Sequence, residues 1–149
     1  MRENDISRYG IAVEDFQVDS KPNDDINGAL IRCIKSSGMT VTEFCRVTGI
    51  AQTTMARYRQ KKCEPSLETI VTACIVLRTN IFQALYLISV AGYNIFYSEE
   101  KKVYLLLLML SWYSGIGIDE ANDILVSLNM KPLKVKSQLI KGNGGQGDG

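Results

Sequence analysis

No histidine occurs in this chain of 149 residues. That absence removes histidine general bases, Ser-His triads and histidine metal ligands together. Cysteine is sparse: Cys33, Cys45, Cys63 and Cys74 form no C-x-x-C pair, so the spacing argues against zinc. Cys33, Cys45 and Cys74 fall at apolar helical positions and read as small core fillers, whereas Cys63 lies in a loop. The glycines that cluster near the end follow no strand and open no helix, so they make no nucleotide loop. With no nucleophile–base pair either, neither an enzyme nor a bound metal or cofactor is expected. Net charge is only +1. No apolar run approaches the roughly 20 residues that cross a bilayer: Gln83 and Ser89 interrupt the stretch after Ile81, and residues 103–110 are too few. Free thiols and the lack of a signal-peptide pattern predict a reducing cytoplasm.

What the chain does hold is concentrated in MTVTEFCRVTGIAQTTMARYRQKKCEP, residues 39–65. Thr40 stands three residues before Glu43, which is capping-box spacing: the hydroxyl can accept from the Glu43 N–H, and the carboxylate can reach back. Met39 and Phe44 have the spacing of a hydrophobic staple. Phe44, Cys45 and Thr48 make a short inward face. Gly49 supplies the positive φ that ends a helix in a sharp turn. Ile50 and Met55 repeat the staple around a second start at Ala51, a residue without a capping oxygen. A second helix is expected over residues 52–60, with Met55 inward and Gln52, Thr53, Ala56, Arg57 and Gln60 pointing away. Pro65 and Ser66 then open the next helix.

Two short helices around a glycine turn, the second carrying long polar groups, form a helix-turn-helix. A Gln amide can pair with N6 and N7 of adenine, and an Arg guanidinium with O6 and N7 of guanine. Lys61 and Lys62 can meet phosphates beyond the helix end, and Thr40 and Thr42 sit where hydroxyls and N–H groups hold a phosphate. Over residues 39–65 five basic residues face two acidic ones, whereas residues 1–23 carry three against five. The positive charge is local.

The run Gly38-Met39-Thr40, Glu43-Phe44-Cys45, Thr48-Gly49-Ile50, Gln52-Thr53-Thr54-Met55, Arg57 and Pro65-Ser66-Leu67-Glu68 resembles the Cro/repressor-type (Xre-type, lambda-repressor-like) helix-turn-helix domain. The resemblance implies an all-α, five-helix domain. It also implies that Gln52, Thr53 and Arg57 face bases and that Thr54 lies near the DNA backbone. Val41, Ala51, Arg59 and Lys61 depart from the family pattern, which has a polar residue, a Ser or Thr cap, a Glu and a glycine there.

The remaining chain divides around this core. Residues 1–22 read as an N-terminal arm, with Ile11, Val13, Phe16 and Val18 scattered among acidic residues; it is either a partly ordered tail or a docked strap. Residues 23–95 make the DNA-binding domain. Its first helix should start near Asn23 and bury Ile26, Leu30, Cys33 and Ile34. The fourth runs through Leu67, Ile70, Val71, Cys74 and Leu77, and the fifth over residues 81–91.

Residues 96–140 form a helical extension. Its first helix, opened by Ser98, has apolar residues nearly all round and should be buried on more than one side. Asp119 should cap the second, whose stripe is Ala121, Ile124, Leu125 and Leu128. This C-terminal helical pair either completes the core or forms a homodimer interface. A looser resemblance links it to extensions on some Firmicute-type Xre proteins. Residues 141–149, rich in glycine, are expected to be disordered. Two functions stay open: a sequence-specific regulator of double-stranded DNA, repressor-like and dimeric, or an adaptor that keeps the fold, has lost DNA binding and serves an unidentified protein partner.

Overall fold

The computed structural model describes residues 8–10 and 12–134, and all regular structure among them is helical. Seven α-helices follow in order: α1 (Ile26–Ser36), α2 (Val41–Thr48), α3 (Gln52–Arg59), α4 (Leu67–Leu77), α5 (Ile81–Val90), α6 (Glu99–Ser114) and α7 (Ile118–Ser127). Most starts have a side-chain cap. Asp25, Thr40, Ser66, Asn80 and Ser98 each accept from a backbone N–H three residues on, worth about 1 kcal/mol apiece. Asp25 rather than Asn23 therefore sets the start of α1, and Asn23 lies before it in a left-handed turn.

Helix α4 is the shared wall. Its mean character is apolar, seven of its residues are buried, and it packs against α1, α2, α5, α6 and α7. Ala73 faces one cluster, made with Leu30, Ile34, Phe44, Cys45, Met55 and Tyr58. Ile70, Val71, Cys74 and Ile75 face another, shared with α5, α6 and α7. The first cluster fixes the helix-turn-helix, and the second attaches the extension to it. Met39 and Ile50 pack onto the first, as their staple spacing requires. Cys33, Cys45 and Cys74 are buried, and all four thiols are free.

Several expectations change. Glu43 does not complete a capping box, because Arg46 one turn on captures its carboxylate; only the Thr40 half forms, at 3.0 Å. Asp119 does not cap α7. Gly117 is its N-cap, and the Glu120 carboxylate accepts the Gly117 N–H at 2.9 Å, so the helix starts earlier and Asp119 sits in its first turn. Helix α6 packs mainly on α4 and α5, and Leu106, Met109 and Tyr113 remain exposed rather than buried on several sides. Leu128, expected in the α7 stripe, terminates that helix and is exposed.

The arm is a docked strap over residues 12–25. Phe16 packs edge-on against Phe82, which packs edge-on against Trp112. The Asp19 N–H donates to Gln83 Oε1 at 2.7 Å, and Asn80 donates to the Gln17 carbonyl at 2.9 Å. Ile11 and the glycine-rich residues 141–149 lie outside the described residues, as do residues 135–140 of the extension.

Candidate nucleic-acid interface

The turn is built as its residues dictate. Gly49 takes φ 80° and its N–H closes on the Cys45 carbonyl. The Thr48 hydroxyl, buried, donates back to the Phe44 carbonyl and accepts from the Ile50 N–H, which ties the turn to the end of α2. Helix α3 then leaves with no side-chain cap at Ala51. Met55 is completely buried and Tyr58 nearly so, which fixes its rotation. The opposite side presents Thr53, Arg57 and Gln60 to solvent, with Thr54 and Ala56 at the half-buried edges.

Gln52 is exposed but not loose: its amide donates to the Thr42 hydroxyl at 3.3 Å, tying the first residue of α3 to α2. Thr40 keeps its hydroxyl on the Glu43 N–H at the α2 start. Thr40, Thr42, Gln52, Thr53 and Arg57 thus sit on the exposed side of the two helix starts and the α3 face. Arg59, also exposed, lies toward the Cys45 side of α3.

The far end of α3 closes in a Schellman motif. The Lys62 N–H reaches the Arg57 carbonyl at 2.9 Å and the Lys61 N–H the Tyr58 carbonyl at 3.0 Å. Lys61 holds the left-handed position, φ 59°, which glycine usually occupies. Its ammonium pairs with the Asp25 carboxylate at 2.7 Å, and that hydrogen bond holds the Asp25 carboxyl below the usual carboxylate range. Lys62 is exposed and makes no ion pair among the described residues.

Asn27 is the residue that sequence reasoning missed. It is buried on α1 and donates its amide to the Tyr58 carbonyl at 2.9 Å and the Cys63 carbonyl at 2.8 Å. It thereby holds both the last turn of α3 and the following loop. Its signal was a polar residue in register with Leu30 and Ile34 on an apolar face. Nearby, Arg32 grips Asp24 with both nitrogens, at 2.6 and 3.0 Å, and Tyr86 donates to the same carboxylate.

Among the described residues no helix is long and apolar enough to cross a membrane. Comparisons with curated proteins and with solved structures gave no match. The family description "Cro/C1-type HTH DNA-binding domain" matches residues 29–89, which takes in most of α1 and all of α2 through α4 and reaches the end of α5. With the turn at Gly49 and the outward polar face of α3, residues 29–89 are a Cro/C1-type helix-turn-helix domain.

Proposed function

We propose that this protein is a sequence-specific regulator of double-stranded DNA, repressor-like, working as a homodimer in the cytoplasm. The observation that carries the reading is the outward face of α3. Gln52, Thr53 and Arg57 stand free of the core while Met55 and Tyr58 anchor the opposite side. In the reading, α3 enters the major groove. Arg57 takes a guanine edge, Gln52 an adenine edge held in register by Thr42, and Thr53 a neighbouring base. Thr40, Thr42 and Thr54 meet the sugar-phosphate backbone, together with Lys62. Lys61 joins them only by releasing Asp25, an exposed ion pair worth less than about 1 kcal/mol.

The dimer rests on α6. Lys102, Leu106, Met109 and Tyr113 recur at spacings of four, three and four residues, the pattern of a coiled-coil seam, and the last three are exposed apolar side chains. A second copy packed on this seam would set two α3 helices for successive major grooves, roughly 34 Å apart. The same seam supports the other reading, an adaptor that binds a protein partner and no DNA, and the near-neutral net charge favours it.

Selection of bound duplexes from a random library at near-physiological salt decides between them. The regulator predicts an enriched motif with two symmetric half-sites about 10 base pairs apart. No enrichment over an Arg57/Lys62 charge-reversed control gives the adaptor reading instead.

A further inference from the structure

A cleft of about 430 Å³ lies where the helix-turn-helix meets the extension. Its size falls within the range of small-ligand sites. Helices α4 and α6 supply Glu68, Glu100 and Tyr104, and the segment after α7 supplies Lys131 and Lys134. That segment is held in place by Asn122, whose amide group exchanges two hydrogen bonds with the Leu133 backbone, at 2.7 and 3.0 Å.

The lining brings charges of both signs to one cleft beside a buried phenol. Two carboxylates and two ammonium groups surround one cleft, yet none of the four is in an ion pair among the described residues. Tyr104, only 3% exposed, lies near both carboxylates. Its hydroxyl faces Glu68. Burial first, and then the Glu68 and Glu100 charges, push the phenol up to about 12, so it stays protonated and can donate. A protonated phenol that donates to a carboxylate keeps lone pairs to accept from an ammonium group.

We propose that this cleft is an effector site for a small zwitterion, a free α-amino acid. Its ammonium lies between Glu68 and Glu100 with Tyr104 accepting one N–H, and its carboxylate meets Lys131 and Lys134. A simple cation would leave the lysines without a partner, and a simple anion would meet Glu68 and Glu100; the zwitterion satisfies both ends. The cleft also touches the regulator's turn: Thr48 and Ile50, on either side of Gly49, line it. A ligand there contacts the turn that sets the departure of α3, so it binds differently to the free and the DNA-bound forms. This regulatory half rests on the DNA-binding reading, whereas occupancy of the cleft does not.

The test is titration of the full-length protein with each of the twenty free L-amino acids, up to about 10 mM, by calorimetry and thermal unfolding. At least one should bind and raise Tm. Glu68→Gln and Glu100→Gln should each weaken that binding about tenfold or more while leaving the helical content of the unliganded protein unchanged. Lys35→Ala, outside the cleft, should leave it intact. No binding by any of the twenty, or equal binding by the Glu68→Gln, Glu100→Gln double variant, overturns the site. Binding that leaves affinity for the selected DNA unchanged overturns the coupling to α3. If no duplex is selected while an amino acid still binds, the DNA-binding reading fails and the site stands.

Discussion

Asn27 holds Tyr58 across 31 residues of sequence: a buried amide on α1 donates to a carbonyl in the last full turn of α3. Both ends of the contact are removed from water. Its loss leaves the Cys63 carbonyl without its donor and the Tyr58 carbonyl with the Lys61 N–H alone. Such orphaned groups cost about 1–3 kcal/mol. Asn27→Ala and Asn27→Asp should both lower unfolding free energy by this amount in urea titrations, since neither replaces the N–H donors. Unchanged stability in both would mean that water enters and takes over the two carbonyls.

Arg57 and Lys62 should fail in different ways. If Arg57 reads a base edge, Arg57→Ala costs about 1–3 kcal/mol on the selected duplex and relaxes preference at one position. If Lys62 meets phosphate, Lys62→Ala weakens all sequences alike and lowers the salt slope by about one unit. Filter binding across a salt series separates the two. Unaltered preference in Arg57→Ala would remove α3's outer face from the reading.

Lys61 carries a backbone cost that its neighbour does not. A non-glycine residue at φ 59° is disfavoured by about 1 kcal/mol, and the exposed pair with Asp25 returns less than that. Lys61→Gly should therefore raise stability slightly, by a few tenths to about 1 kcal/mol. If its ammonium stays with Asp25, the salt slope of DNA binding should stay the same as well. A falling slope would show that Lys61 exchanges Asp25 for phosphate.

How much was legible followed from sequence distance. The Thr40 cap, the Gly49 turn, the inward Met55 and the Ser66 start are decided by neighbours within four residues, and all were read correctly. Local signals also misled where two partners competed: Glu43 had both Thr40 and Arg46 in reach, and Gly117 with Glu120 outcompeted Asp119 as the start of α7. Contacts between distant segments left little trace. Asn27 to Tyr58, Asp19 to Gln83 and Arg78 to the Gly115 carbonyl each depend on packing that no local pattern encodes. The outward orientation of Thr53 and Arg57 was legible because α3 is short and one buried methionine fixes its rotation. The cleft between α4, α6 and the chain after α7 was not, because three separate segments make it.

Acid should expose the strap's anchor. The Arg32 hydrogen bond, with help from the Tyr86 hydroxyl, holds the Asp24 carboxyl well below the usual carboxylate range, although partial burial opposes this. A carboxyl lowered in the folded state adds stability above its unfolded pKa, near about 4, and loses it as pH falls through the folded value. The protein should therefore weaken progressively below about pH 4, and Asp24→Asn should be less stable at neutral pH by roughly 1–3 kcal/mol with a flatter acid limb. Parallel acid limbs for the two proteins, measured by urea titration at stepped pH, would mean that other carboxylates govern the acid response.

Changes on helix α6 test the proposed dimer. Its buried side, Tyr104, Leu107, Leu108 and Ser111, is already occupied by α4 and α5, so a change on the opposite seam need not disturb the fold. Leu106→Glu with Met109→Glu places two charges where a second copy would bury methyl groups, and like charges would face each other across the two-fold axis. Sedimentation at tens of micromolar, an order-of-magnitude range for moderate affinities, should show a dimer for the wild type and a monomer for the variant, with equal helical content. The variant should also lose preference for paired half-sites over a single one, since each α3 would then search alone. A monomeric wild type that still selects paired half-sites would move the dimer contact away from α6 and leave its apolar seam to a different protein.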